Sequence, residues 1–491
     1  MNQISRRGFL TLGSRAIAGG VIAGPISSFL SACNKGSDLK LANWKQLEAQ
    51  ISGGLLIPGD AEFNSYTIPY SLQYSPTIPK VIARCLNEQD VVSAIKWAKE
   101  NEVPLVARSG GHSYAAYSAT TNLLLDVSGM NSVAINNGLA TVGGGGRNKN
   151  VYAALRSPSM SVTHGRCKEV GVAGLVLGGG IGFNMRAHGL TCDGLIETRM
   201  VTADGSVLVC NETQNADVFW AIRGAGGGNF GVHTSFTFKP FAVSNVTAFE
   251  LDFTDKVELI FAKLQDVLLA APNTVGAKVW VVSEPVGNVN QVSIKLLGQY
   301  VGDQTSFLNI IKPVTDIAQP SGGWIKTLFY WDAQELLSEQ GDPEYVYEKS
   351  HFAFQPISPE GQATIFRNIR SWPGTSGYAI WKYFLMGGKI DDKKSTDTAY
   401  FARGAKMLTS VDLGWLPKDQ PKLAENLAWL DKFHKEMEQY TSKYSYVNFI
   451  DRNQSNFLDA YYGSNLEKLK TIKKKLDPNN FFNYPQGIPL V

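Results

Sequence analysis

Arg108-Ser109-Gly110-Gly111-His112-Ser113-Tyr114 and Gly165-Arg166-Cys167-Lys168-Glu169-Val170-Gly171-Val172-Ala173-Gly174-Leu175-Val176-Leu177-Gly178-Gly179-Gly180-Ile181-Gly182 set two nucleophiles in stretches with almost no side-chain bulk. Loops of small residues let backbone N–H groups come close to the oxygens of a bound pyrophosphate. Neither stretch has the Rossmann form, because no G-x-G-x-x-G lies between a strand and a helix with an acid about 20 positions on. A nicotinamide-binding domain is thereby disfavoured. Taken singly, His112 reads as a histidine bonding a loop carbonyl and Cys167 as a small buried filler. A third block, Phe219-Trp220-Ala221-Ile222-Arg223-Gly224, runs into Gly226-Gly227-Gly228-Asn229-Phe230-Gly231 and Val232.

Around these loops the pattern is mixed. Asn87 precedes an amphipathic helix, with apolar residues recurring at three- and four-residue spacing from Val91. Residues 37–49 read as a short polar helix and 66–79 as an extended Tyr/Pro-rich segment. Residues 103–107, 123–127 and 139–142 read as strands, and 200–210 as a hairpin turning at Ala203-Asp204-Gly205-Ser206. From about Val243 alternating strands (279–282, 292–300) and helices (257–270, 423–440) suit a second domain with an antiparallel sheet. Its open face is expected to carry Tyr300, Trp331, Tyr345, Tyr347, Trp381 and Tyr383.

The chain of 491 residues can bury a substantial core, and 46 basic against 43 acidic residues give no argument for nucleic acid. Lys473-Lys474-Lys475 reads as the solvated end of a helix. Five cysteines (Cys33, Cys85, Cys167, Cys192, Cys210) form no zinc-ligand spacing, so no metal is expected, and the sequence does not choose a disulfide. At the N-terminus, Ser5-Arg6-Arg7-Gly8-Phe9-Leu10 resembles a twin-arginine export signal, and Leu30-Ser31-Ala32-Cys33 a lipoprotein cleavage box with Cys33 taking the lipid anchor. The expected location is outside the cytoplasm, on the membrane surface. Twin-arginine export carries folded proteins and so favours a cofactor enzyme.

All three glycine blocks, in this order, resemble the flavin-attachment and flavin-binding segments of the berberine bridge enzyme-like branch of the vanillyl-alcohol oxidase family. The closing Tyr461-Tyr462-Gly463-Ser464-Asn465 and Asp477-Pro478-Asn479-Asn480-Phe481-Phe482 resemble that family's tail. The resemblance implies an α+β fold: a two-lobed PCMH-type FAD-binding domain plus a substrate domain with an antiparallel sheet covered by helices. It divides the chain into a signal (1–33), the first part of the FAD-binding domain (34–242), the substrate domain (243–443) and a returning C-terminal segment (444–491).

It further implies FAD held by two covalent bonds, from a ring nitrogen of His112 to the 8α carbon and from the Cys167 sulfur to ring carbon 6. Arg166 and Lys168 beside the thiol are expected to favour its thiolate. The implied cofactor contacts are Arg108, Ser109, Gly110, Gly111 and Ser113 in the first block, and Val170, Gly171, Gly174, Gly178, Gly179 and Gly182 in the second. Gly228, Asn229, Phe230, Gly231 and Val232 follow in the third, with Asn448 and Asn465 near the end. Val170 matches a position where relatives with valine admit O2 to the flavin. The family's Tyr-x-Asn-Tyr motif reads Tyr446-Val447-Asn448-Phe449 here, so its second tyrosine is lost. The base needed at the substrate hydroxyl then falls to Tyr446, Tyr383 or Tyr400. The implied reaction is oxidation of an alcohol carbon on a sugar or natural product, with O2 as acceptor. The alternatives are a dehydrogenase feeding a quinone or carrier protein, and a binding lipoprotein of weak activity.

Overall fold

The computed structural model describes residues 41–286 and 289–490. The export signal and Cys33 lie outside the described residues. Helices and sheets are mixed along the chain, an α+β architecture.

Near the start, the strands Val81–Arg84, Leu123–Asp126 and Leu105–Arg108 pair in parallel. Leu123, Leu124 and Leu125 are fully buried, because the middle strand of a parallel set is covered on both faces and reads as continuous apolar sequence. The adjacent helix Glu88–Glu100 starts where the Asn87 side chain accepts the Asp90 N–H, and it buries Val91, Ala94, Ile95 and Ala98 against this sheet. At the carboxyl end of Leu105–Arg108 the chain leaves the sheet and enters the first glycine loop, which is where open parallel sheets present ligand sites.

A second, five-stranded antiparallel sheet follows, ordered Val133–Asn136, Leu139–Gly143, Val232–Phe238, Leu195–Val201, Val207–Asn211. Its hairpin turns where expected: Gly205 has φ +78° and Thr202 Oγ1 donates to Asp204 Oδ1 at 2.6 Å.

The largest sheet has seven antiparallel strands in the order Gly322–Phe329, Asn245–Phe253, Val289–Tyr300, Val275–Val286, Tyr378–Leu385, Met407–Trp415, Tyr345–Ala353. Helices Val257–Ala270, Gln304–Thr315, Pro359–Arg370 and Leu423–Met437 cover one face. Strand alternation sends Val279, Val281, Trp381, Tyr383, Val411 and Leu413 into that covered core. This corrects the expected aromatic open face: Trp381 and Tyr383 lie under the helices, Tyr300, Tyr345 and Tyr347 pack against the same core, and Trp331 belongs to the helix Tyr330–Leu337. The opposite face instead carries Lys278, Lys382, Phe384, Glu348 and Asp412.

The closing segment packs back onto the glycine loops. Lys473, expected to be solvated, is fully buried, donating to Asp477 and to the carbonyls of Asn229 and Phe482. A lysine lodged among three oxygens has its desolvation offset by charge-assisted bonds. Cys85, Cys192 and Cys210 are buried free thiols.

Candidate active site

A cavity of about 330 Å³ opens between the glycine loops and the uncovered face of the seven-stranded sheet. Its floor is made where the first two loops cross. A Cβ on Gly110 would overlap the backbone of Gly171, and a Cβ on Gly171 the backbone of Gly110, so the two chains touch with nothing between them. Arg108 donates to the carbonyls of Ser118, at 2.8 Å, and Tyr66. Burial brings its guanidinium down to about 10.

His112 stacks on Tyr70 with ring centroids 3.6 Å apart, and Tyr70 Oη donates to Glu344 Oε1 at 2.6 Å. Burial lowers the imidazole to about 4, so it is neutral at pH 7 and its ring nitrogen keeps a lone pair. Gly341, at φ +80°, passes between the two nucleophiles: a Cβ placed there would sit 3.0 Å from His112 Nε2 and 3.1 Å from the Cys167 Cβ. The two side chains thus flank one point.

Arg166 and Lys168 do not supply the free positive charge expected beside the thiol. Arg166 is paired with Glu339 and Lys168 with Glu335. The group on the sulfur is an acid, with Cys167 Sγ 3.6 Å from Glu339 Oε2.

Most of the anticipated contacts line the cavity: Arg108, Ser109, Gly110, Gly111, His112 and Ser113 from the first loop, Cys167, Val170, Gly171, Gly174 and Gly182 from the second, Gly228, Gly231 and Val232 from the third, and Asn448. Five do not. A Cβ on Gly178 would overlap the Asn448 side chain and one on Gly179 would press on Tyr400, so both support the wall from behind. Asn229 turns inward to the carbonyl of Ala225 at 3.0 Å, and Phe230 is core. Asn465 donates to the carbonyls of Ser395, Thr398 and Ala399 and so fastens a neighbouring loop.

Of the three tyrosines, Tyr446 lines the cavity. Its Oη accepts the Gly180 N–H at 2.9 Å and the Asn448 amide at 3.0 Å, while burial pushes the phenol well above the usual tyrosine range. Tyr383 points into the helix-covered core, packed edge-on to Phe261 and Trp381. Tyr400 lies behind the wall, and burial raises its phenol too. Neither reaches the cavity. Phe449 does, 5.6 Å edge-on from Tyr114.

A charged cluster that the sequence did not mark stands on the sheet face opposite. Lys382 Nζ lies 2.8 Å from Glu348 Oε1 and also pairs with Asp412, and the three side chains are 4, 2 and 0 % exposed. Ser410 Oγ donates to Glu348 Oε1 at 2.8 Å and to Asp412 Oδ1 at 3.1 Å. Burial alone would raise the Glu348 carboxyl, but Lys382, then Ser410 and Lys278, hold it below the ordinary glutamate value. Lys382 and Lys278 both reach the cavity, the latter 4.3 Å over the Trp280 ring. Their signal in the sequence is a lysine or acid interrupting an apolar strand, as in Tyr-Ala-Ile-Trp-Lys-Tyr-Phe-Leu (378–385).

The walls fit FAD. Arg108 Nη2, Ser109 Oγ and His112 Nε2 are buried polar atoms without a hydrogen-bond partner in the protein, two of them donors suited to anionic oxygens and one a nucleophile.

Residues 79–211 match the model of an FAD binding domain, and residues 445–489 that of berberine and berberine-like proteins. An uncharacterized FAD-linked oxidoreductase of Bacillus subtilis is 31% identical over 452 residues, covering 90% of this chain and 98% of that protein. Glucooligosaccharide oxidase of Sarocladium strictum is 28% identical over 435 residues, 82% of this chain and 86% of the oxidase. Among solved structures, BBE-like 1 of Physcomitrella patens superposes with a TM-score of 0.83 at 29% identity, covering 91% of this chain and 99% of that one. With three glycine loops converging on one cavity, and likeness of this extent along the chain, the protein belongs to the berberine bridge enzyme-like family of FAD-linked oxidoreductases.

Proposed function

We propose that the protein oxidises an alcohol carbon of a carbohydrate or related metabolite, using FAD tethered through both His112 and Cys167 and O2 as the electron acceptor. The observation that carries this reading is the placement of a neutral imidazole and a thiol on either side of Gly341 in one cavity wall. Two tethers let the other side of the ring stay wide, which suits bulky substrates. Relatives named for glucooligosaccharide and xylooligosaccharide oxidation support the substrate class. Bound FAD supplies the acceptor for a hydride from the alcohol carbon.

The chain's own residues handle the proton. Tyr446 stays protonated, since its oxygen is already engaged by two N–H donors and burial opposes its ionisation. Lys382 is a charged group lining the cavity that is paired with two buried carboxylates, Glu348 and Asp412. It takes the hydroxyl proton at Nζ as it passes one of its own to Glu348 Oε1 at 2.8 Å, so no new charge is buried. Phe449 lies beside this relay, its ring centroid 5.6 Å from Lys382 Nζ, and Phe384 lines the same cavity. The exported, lipid-anchored location at Cys33 is part of the same proposal and rests on the sequence.

Anaerobic mixing with a panel of oligosaccharides tests the reading. One or more should bleach the flavin absorbance, and admitting O2 should restore it with one equivalent of hydrogen peroxide. Bleaching by none of the sugars would contradict the substrate class, and bleaching restored by a quinone but not by O2 would contradict the acceptor.

A further inference from the structure

We infer that Glu339 is the general base that makes the Cys167–flavin bond, an inference that rests on the double tether proposed above. A thiol is mostly protonated near pH 7, whereas the thiolate is the nucleophile. The two cations next to Cys167 in the chain are each neutralised by a carboxylate, so they do not favour the thiolate by themselves. The remaining candidate for removing the proton is the acid on the sulfur. Glu339 divides its two oxygens: Oε1 pairs with Arg166, and Oε2 lies 3.6 Å from Cys167 Sγ.

The backbone keeps this geometry. Residues 338–341 run beside 166–169 as a short parallel bridge, with the Glu339 N–H on the Arg166 carbonyl at 3.2 Å, the Lys168 N–H on the Glu339 carbonyl at 2.9 Å and the Glu169 N–H on the Gln340 carbonyl at 3.1 Å. Beyond it Glu344 anchors the segment to Tyr70, the residue under His112. One strap therefore touches both attachment residues and brings its carboxylate to only one of them. A carboxylate fixed by Arg166 on one oxygen and by main-chain bonds at its base is a positioned acceptor.

The step balances. The S–H bond breaks as its proton passes to Glu339 Oε2, and a sulfur–carbon bond forms at flavin ring carbon 6. The hydrogen on that carbon leaves as a proton, and the two electrons left on the ring system reduce dioxygen to hydrogen peroxide. The net change is thiol, ring C–H and O2 giving thioether and hydrogen peroxide.

Other titratable groups bear on the thiol's pH response. Glu169 is engaged by Arg147 and Lys149, and Glu335 by Lys168. Tyr70 and Tyr152 also face the sulfur, and burial pushes both phenols well above their ordinary value. His112 is neutral above about 4. Burial keeps His112 neutral and Tyr70 and Tyr152 protonated near neutral pH, and the cations around Glu169 keep it ionised there.

The apoprotein is made without flavin, mixed aerobically with FAD, and the Cys167 peptide is followed by mass. Glu339→Gln keeps size and hydrogen bonding while removing the base. We expect it to bind FAD, to form the His112 link, and to join Cys167 about 10²-fold more slowly at pH 7. The deficit should shrink as pH rises, because hydroxide then competes with the missing base for the thiol proton. Glu339→Asp, which keeps a carboxylate, should retain more of the rate than Glu339→Gln. Attachment by Glu339→Gln at the parent rate across the pH range overturns the inference and leaves the double tether intact. Loss of both links together makes Glu339 a fold residue and equally overturns it. A parent protein that never joins Cys167 removes the reading beneath it.

Discussion

Lys382 and Glu348 meet at 2.8 Å on the open face of the seven-stranded sheet, one strand apart from being neighbours, with Asp412 on the strand between them closing the group. A cation buried between two acids at the wall of a redox cavity is costly unless every charge is answered. Here each one is, and the lysine alone of the three reaches the cavity.

Replacing it separates chemistry from folding. Lys382→Met should strand two facing carboxylates and cost about 3–5 kcal/mol of stability, read as a fall in Tm. Lys382→Arg keeps the charge and much of the stability but does not exchange a proton near neutral pH. Flavin reduction by substrate, followed by stopped flow, should therefore fall by about 10²–10⁴-fold in Lys382→Arg. Reduction at the parent rate would exclude the relay.

Tyr383→Phe should leave activity and flavin content unchanged, and stability unchanged or slightly higher. The Tyr383 hydroxyl is buried without a hydrogen-bond partner among the helices, so removing it removes an uncompensated polar group. Steady-state kinetics and thermal unfolding check this. A large loss of kcat would return Tyr383 to the site.

Gly171→Ala should lower both flavin content and Tm, because the added methyl meets the Gly110 backbone and forces the crossing loops apart. Such overpacking costs about 1–3 kcal/mol. Gly174→Ala, on the same loop with open space at its Cβ, is the matched control and should fold normally.

Acid should unfold the protein early. Burial lowers the pKa of the five histidines outside the proposed flavin link: His164 and His434 to about 4, His233 to about 3, and His188 and His351 in the same direction. The unfolded chain takes up these protons near 6.5 and the folded one does not, so stability is full above 6.5 and is lost as pH falls toward 4. His164 alone, 4 % exposed, accounts for about 3 kcal/mol at the low end. Denaturant midpoints at pH 8, 6 and 4.5 should drop progressively. A flat profile across that range would contradict the burial of these rings.

How far the sequence reveals the site depends on which part of the chain makes it. Glycine loops act through the backbone of consecutive residues, so Ser109 to Ser113 and Cys167 to Gly174 are legible from their order alone. Tyr383 was misplaced by one step of strand parity: Lys382 and Phe384 face the cavity and Tyr383 faces the helices. The Glu348–Lys382–Asp412 cluster is assembled from three strands by sheet order, which no local pattern contains. Its trace was the charge embedded in each apolar strand. Arg166 and Lys168 were visible as charges, but their partners Glu339 and Glu335 lie far along the chain, so the sign of the environment around the thiol emerged only in three dimensions.

The most direct measurement is acid precipitation of the native protein followed by mass analysis of its peptides. Yellow colour should stay with the pellet, and digestion should yield one species joining the His112 peptide, the Cys167 peptide and a single flavin. Colour passing into the supernatant, with both peptides at their unmodified masses, would contradict the account.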